Sequence, residues 1–208
     1  MGYTTTQLTS KFTLVGINFS SLSGKNTIPI NEVITGDFAN GDQLQIQDGD
    51  GGYIVLEWKE DGWYGLSAST PASVEVTRGT GVWIVAQSAS TNNPVKAQLK
   101  GAVNLSDEMT SEFGQRYVIA STGLPVDTGV NSPLFKWTNL ADKDQLQIPD
   151  GTGGYVVLEW RDADGDGQYH WYGLSASTPA TVLIPKESAF WIVSSNELAS
   201  VTISPKEL

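Results

Sequence analysis

Three aspartates, Asp162, Asp164 and Asp166, alternate with Ala163 and Gly165 and run into Gly167. Carboxylates at every second position around a glycine turn can converge on one hard cation, as in the first half of a calcium loop. The spacing makes calcium the candidate cofactor. The loop is not an EF-hand, because Gly173 stands where the closing glutamate would be and no helical pattern flanks it. The competing reading is a solvated acidic hairpin tip, glycine-rich for turn geometry.

A second candidate chemistry is stacking. Trp63 and Tyr64 are neighbours in a strand-like segment, as are Trp171 and Tyr172. Adjacent strand residues face opposite ways, so one ring of each pair is expected in the core and the other outside. An outward ring close to Asp, Asn or Gln is a platform for the apolar C–H face of a sugar, and aromatic packing within the sheet is the alternative. Trp58, Trp83, Trp160 and Trp191 lie in strongly apolar strands and read as core.

Catalytic chemistry finds little to work with. His170 is the only histidine, which excludes a two-histidine metal site and a repeated histidine-based triad. The GLSAS segments at Gly65–Ser69 and Gly173–Ser177 lack the second glycine and the following helix of a nucleophile elbow. Glu57 and Glu159 hold the same place in two copies of one motif, and nothing in the sequence brings them to the separation a glycosidase needs. The protein is expected not to be an enzyme.

The elements that position these residues are written twice. DQLQIQDGDGGYIVLEW at Asp42–Trp58 returns as DQLQIPDGTGGYVVLEW at Asp144–Trp160, identical at fourteen of seventeen positions. WYGLSASTPA occurs verbatim at Trp63–Ala72 and Trp171–Ala180, while LTSKF at Leu8–Phe12 is answered by MTSEF at Met109–Phe113 and VWIV at Val82–Val85 by FWIV at Phe190–Val193. The first motif repeats at an offset of 102 and the second at 108, so the second copy carries six extra residues, and these create the acidic turn. Short apolar or alternating runs between Gly-, Asp- and Pro-rich turns predict strands throughout, with NEVITGDF and SDEMTSEF as the only candidates for helical turns. The expected fold is all-β: two homologous tandem β-sandwich or β-barrel units, residues 1–102 and 103–208, related by pseudo-twofold symmetry. The unchanged WYGLSASTPA points either to a contact between the units or to a shared ligand or assembly surface.

Composition sets outer limits. The formal charge of −11 and the absence of any basic run disfavour nucleic acid and anionic membrane surfaces as partners. No apolar run is long enough to cross a bilayer, so membrane insertion is not expected. With no cysteine there are no disulfides, thiolate metal sites or thiol chemistry.

The order FTLVGINF, GDQLQI, a Gly-rich hairpin, an aromatic strand at WYG, then GTGVWIV resembles a β-rich tandem repeat of poorly characterised secreted and cell-surface bacterial proteins. The second unit departs from that pattern at RYVIASTGLPVD, which lacks the opening Gly-x-Asn element. The resemblance implies export, with the signal peptide absent from this chain, and a non-catalytic role. The expected function is an extracellular structural or adhesive module that assembles with copies of itself or other surface proteins. GYTTTQL at Gly2–Leu8 could complete a neighbour's sheet or pair within its own unit. The alternative is a carbohydrate-binding module using exposed aromatics.

Overall fold

In the segment QLQIQ, burial follows the sequence: Leu44 and Ile46 are inside and the glutamines between them are half-exposed. This period of two, repeated along the chain, gives a protein whose regular structure is almost wholly short strands. The structure is a computed structural model that describes residues 2–114, 117–163 and 165–207.

The first half contributes β1 (Gly2–Leu8), β2 (Phe12–Gly16), β3 (Thr27–Pro29), the helical turn α1 (Ile30–Val33), β4 (Ile34–Gly36) and β5 (Gln43–Gln47). It continues with β6 (Tyr53–Lys59), β7 (Gly62–Gly65), β8 (Glu75–Thr77), β9 (Gly81–Val85) and β10 (Val95–Gly101). The second half contributes β11 (Met109–Glu112), β12 (Tyr117–Ser121), β13 (Thr128–Gly129), β14 (Phe135–Thr138) and β15 (Gln145–Pro149). It ends with β16 (Tyr155–Arg161), β17 (His170–Gly173), β18 (Leu183–Ile184), β19 (Ala189–Val193), β20 (Ser200–Ile203) and a 3₁₀ turn. NEVITGDF thus begins as a helical turn and becomes β4, whereas SDEMTSEF forms a strand, β11, paired with β20.

These strands form separate open sheets, and no closed barrel is present among the described residues. In the first half a five-stranded sheet runs β2-β9-β5-β6-β7, a three-stranded sheet β1-β10-β4, and a small ribbon joins β3 to β8. In the second half the orders are β12-β19-β15-β16-β17, β11-β20-β14 and β13-β18. Among the described residues, no ladder between named strands crosses from one half to the other. β1 pairs with β10 along its whole length, from Gly2↔Gly101 to Leu8↔Val95, so the N-terminal segment is bound within its own half.

One apolar cluster joins the inward faces of both larger sheets in the first half, drawing Leu44, Trp58 and Ile84 from one and Ile34, Ala97 and Leu99 from the other. A second cluster, from Met109 to Ile203, does the same in the second half. A third and smaller one contains Leu14, Ile119 and Ala189, with Trp83 and Trp191 packed against it, and so spans the seam between the halves. Among the described residues no helix is long and apolar enough to cross a membrane.

The hairpin at the centre of the first repeated motif explains its own spelling. Asp48 Oδ1 accepts from the amides of Asp50 and Gly52, both at 2.9 Å, and Gly49 and Gly51 have φ of 88° and 90°. Asp150 accepts in the same way from Thr152 N at 2.7 Å and Gly154 N at 3.0 Å, with Gly151 and Gly153 again at positive φ. An aspartate that closes the turn and glycines that occupy left-handed backbone are what this tip requires.

Candidate functional site

Three of the four paired rings are enclosed, and Tyr64 is part-exposed. Trp63 and Trp171 are both fully enclosed. Trp63 packs 5.0 Å from Trp58 and 4.9 Å from Phe38, ring centroid to centroid, and donates from Nε1 to Ile34 O at 3.0 Å. The tyrosines are also occupied. Tyr64 is half-buried with Lys59 Nζ 6.0 Å from its ring centre, and Tyr172 is buried with the Arg161 guanidinium 5.2 Å away. Arg161 Nη2 in turn donates to Gly173 O at 2.7 Å and Ala176 O at 3.0 Å, so each cation is tucked between a ring and the loop that follows it. The first pair alternates, with Trp63 inside and Tyr64 part-exposed; in the second pair the expected outward ring is corrected, because Arg161 and the return loop cover Tyr172.

That loop carries the verbatim repeat. After β7 the chain folds back, with Ala72 N donating to Trp63 O at 2.8 Å and a bridge between Tyr64 and Pro71. Asn31 locks the return: its Nδ2 reaches Trp63 O and Ala72 O at 3.1 and 3.2 Å, and its Oδ1 accepts from Trp63 N at 2.6 Å. Asn131 makes the same three bonds to Trp171 and Ala180, at 3.0, 3.0 and 2.8 Å. The returning chain therefore covers part of the outer edge of β7 and of β17, while Ser67, Ser69 and Thr70 stay exposed.

In the acidic hairpin, Asp162 closes the turn by accepting from Gly165 N at 2.9 Å and Gly167 N at 3.0 Å. Asp166 accepts from Gln168 N at 2.7 Å. Asp164 lies outside the described residues. Among the described residues no group of three or more His, Asp or Glu side chains is gathered around a metal-sized space.

The concave, ring-lined surfaces are elsewhere, at the seam. Trp83 lies between Val82 and Ile84 on β9, and strand alternation sends those two into the first core while Trp83 turns out, half-buried. Phe12, 58% exposed, meets it edge-on at 6.5 Å. Tyr155, from the second half, completes a groove of about 610 Å³ whose rim includes Gln7, Lys11 and Glu187. Lys11 Nζ sits 5.5 Å from the Phe12 ring centre. Glu187 is held in place by the hydroxyls of Thr4 and Thr6. The opposite side of the seam carries Tyr117 and Trp191 of the second half with Tyr53 of the first, in a hollow of about 430 Å³ rimmed by Asp50 and Glu197.

Gln47 distinguishes the two sides. Its Nε2 donates to Tyr117 O at 2.9 Å and its Oε1 accepts from Ile119 N at 2.7 Å, so one side-chain amide occupies the open edge of β12. Gln47 also lines a neighbouring hollow of about 430 Å³ that runs to Val118 and Ala120. Burial raises the Tyr53 phenol above its ordinary value, with a hydrogen bond to Gln47 acting in the opposite direction. In the repeated motif the residue at the place of Gln47 is Pro149, which borders the larger groove.

Trp83 and Trp191 are legible in the sequence as strand residues, but not as half-buried ones that also line the hollows at the seam. Their alternation with Val82 and Ile84, and with Phe190 and Ile192, was the available signal. No family model matches the chain, and searches of curated proteins and of solved structures give no significant match.

Proposed function

We propose that the protein is a non-catalytic binding module of the cell exterior, built from a duplicated all-β unit, whose ligand-facing surface is the seam and whose ligand is a glycan chain. The observation that carries this reading is the pair of ring sets, Phe12–Trp83–Tyr155 and Tyr117–Trp191–Tyr53, each assembled from both halves inside a hollow with a polar rim. Rings of this kind stack on the C–H faces of sugars while carboxylates and amides take the hydroxyls. The pseudo-twofold relation of the units, 1–102 and 103–208, is supported by reciprocal bonds across the seam. Gly16 N donates to Glu187 O at 3.1 Å and Ser121 N to Gly79 O at 2.8 Å, beside bridges Val15↔Ser188 and Thr80↔Ala120.

The alternative is a structural or adhesive module that assembles with copies of itself or other surface proteins; for it Gly2–Leu8 is an edge strand already paired with β10 and not a free strand to donate. The test is a glycan array followed by calorimetry on the whole chain. Replacing Trp83 and Trp191 together by Ala abolishes binding while the far-ultraviolet spectrum is kept. An array without signal for the unaltered protein overturns the reading. Concentration-dependent association that the same replacements remove would return the seam to protein assembly.

A further inference from the structure

The two sides of the seam differ at one position that decides what can enter. On the β12 side the edge is filled from within: the Gln47 carboxamide donates to Tyr117 O and accepts from Ile119 N. The corresponding edge in the first half is β2. Ala86 N donates to Lys11 O at 2.9 Å, which places Lys11 on the ladder side facing β9. Alternation in an antiparallel ladder then turns the backbone groups of Thr13 and Val15 toward β9 and those of Phe12 and Leu14 away from it. Gly16 obeys the same alternation by donating outward to Glu187 O at 3.1 Å. Phe12 O accepts from Ser10 Oγ at 2.8 Å and keeps a second lone pair. Among the described residues no side chain is bonded to the Leu14 N–H as Gln47 is to Ile119 N; Leu14 lies beside the Val15↔Ser188 bridge, and both Phe12 and Leu14 border the larger groove. Pro149, standing where a glutamine would reach across, has no side-chain amide to offer.

We propose that the larger groove is a subsite for an acetamido sugar, and that Gln47 occupies the equivalent subsite on the other side. This rests on the glycan reading of the seam. The chain itself displays the chemistry that fits such an edge: an amide carbonyl for the N–H of the third strand residue and a donor for the carbonyl two residues before it. A 2-acetamido sugar brings an amide carbonyl for Leu14 N–H, an N–H or neighbouring hydroxyl for Phe12 O, and a methyl group for the ring faces of Phe12 and Trp83. A plain hexose offers that edge only hydroxyl oxygens, with no amide carbonyl held in register with a second donor and no methyl group for the rings, and so binds less tightly. Lys11 and Glu187 at the rim are left for the outer hydroxyls.

The experiment titrates the whole chain with chitotriose and with cellotriose by calorimetry, with chemical-shift mapping of the Leu14 amide. Chitotriose is expected to bind at one site per chain, about tenfold more tightly than cellotriose, and to move the Leu14 resonance. Pro149→Gln supplies the missing carboxamide to β2 and should lower chitotriose affinity about tenfold, whereas Pro149→Ala, which removes the ring without adding an amide, should retain it. Gln47→Ala opens the other edge and should raise the number of chitotriose sites to two. Equal affinity for the two trisaccharides, or no effect of Pro149→Gln, overturns the acetamido assignment while leaving glycan binding standing. No binding of any glycan overturns both. Binding of a blocked tetrapeptide such as Ac-Val-Thr-Val-Thr-NH2, lost in Pro149→Gln, where chitotriose does not bind, would reassign the β2 edge to an extended peptide.

Discussion

Asp150 shows how a single residue ties turn geometry to the groove. Its carboxylate accepts from the Thr152 amide and hydroxyl and from the Gly154 amide, and these bonds hold its pKa below the ordinary 3.8. The group is depressed in the folded state, so its contribution is present above the unfolded value and is lost only as pH falls through the folded one. Tyr155 follows this turn directly and forms a wall of the larger groove. Ligand affinity at that groove is therefore expected to be level from neutral pH down to about 4 and to fall below it; a titration by intrinsic fluorescence from pH 7 to 3 checks this, and a fall centred near pH 6 would point to another group. Much at this scale was readable beforehand. The Asp and Gly of the hairpin tip were assigned to turn geometry, and Trp58 is core as read. Trp83 and Trp191 read as core and pack, half-buried, against the small cluster at the seam; an apolar neighbourhood in sequence does not reveal that their other side borders a groove. Tyr172 is buried against the expected alternation because Arg161 and a loop that returns from residues further along the chain cover it.

At the scale of elements, the two β-hairpins that precede the return loops differ by the inserted residues. In the first half, β6 and β7 are joined by a tight turn with Glu60 at a φ of 56°, its amide bonded to Asn40 Oδ1 at 2.9 Å. In the second, β16 and β17 are separated by 162–169, and Tyr169 stacks on Trp160 at 6.1 Å. Since the sheet order is the same with either connection, the acidic turn is an addition to the sheet and not a requirement for it. Its calcium reading has a separate test. A cation held by the aspartates binds the folded state preferentially, so millimolar calcium raises the melting temperature, and Asp164→Ala removes the rise. A melting curve indifferent to calcium leaves Asp162 and Asp166 as caps of their own turn amides, the role the hydrogen bonds already describe. Strand identity was largely legible here from period and punctuation. The pairing order was not, because β9 inserts between β2 and β5, a neighbourhood set by contacts far apart in the chain.

Over the whole molecule, the seam is close-packed backbone against backbone, and glycine makes it possible. A Cβ added at Gly81 would lie 2.4 Å from Ile119 Cγ2 and 2.8 Å from Ala189 Cβ, and one at Gly16 would lie 2.5 Å from Ser121 Cβ. Arg78 fastens the connector as well, donating to the carbonyls of Asn104 and Asp107. Each half nevertheless has its own apolar cluster, and β10 closes the first half's three-stranded sheet before the connector begins. A fragment ending at Gly101 keeps every ladder of the first half, so it is expected to unfold cooperatively. It also bares Leu14, Gly16, Gly81 and Trp83, the surface on which the second half sits. Under the duplicated-unit reading, that surface meets in the second half residues at its own equivalent positions: Leu14 meets Ile119, Gly81 meets Ala189, and Val15 bridges Ser188 where the first half has Thr80. The face is then close to self-complementary, the condition for a twofold dimer. We expect the fragment 1–101 to dimerise reversibly, which sedimentation velocity over a concentration series would measure. Gly81→Val should keep the fragment folded but monomeric, and in the whole chain should cost about 1–3 kcal/mol through overpacking of the seam. A fragment that stays monomeric at millimolar concentration while folded would show that the seam depends on the differences between the halves, with Gln47 against Pro149 the first to examine by exchange.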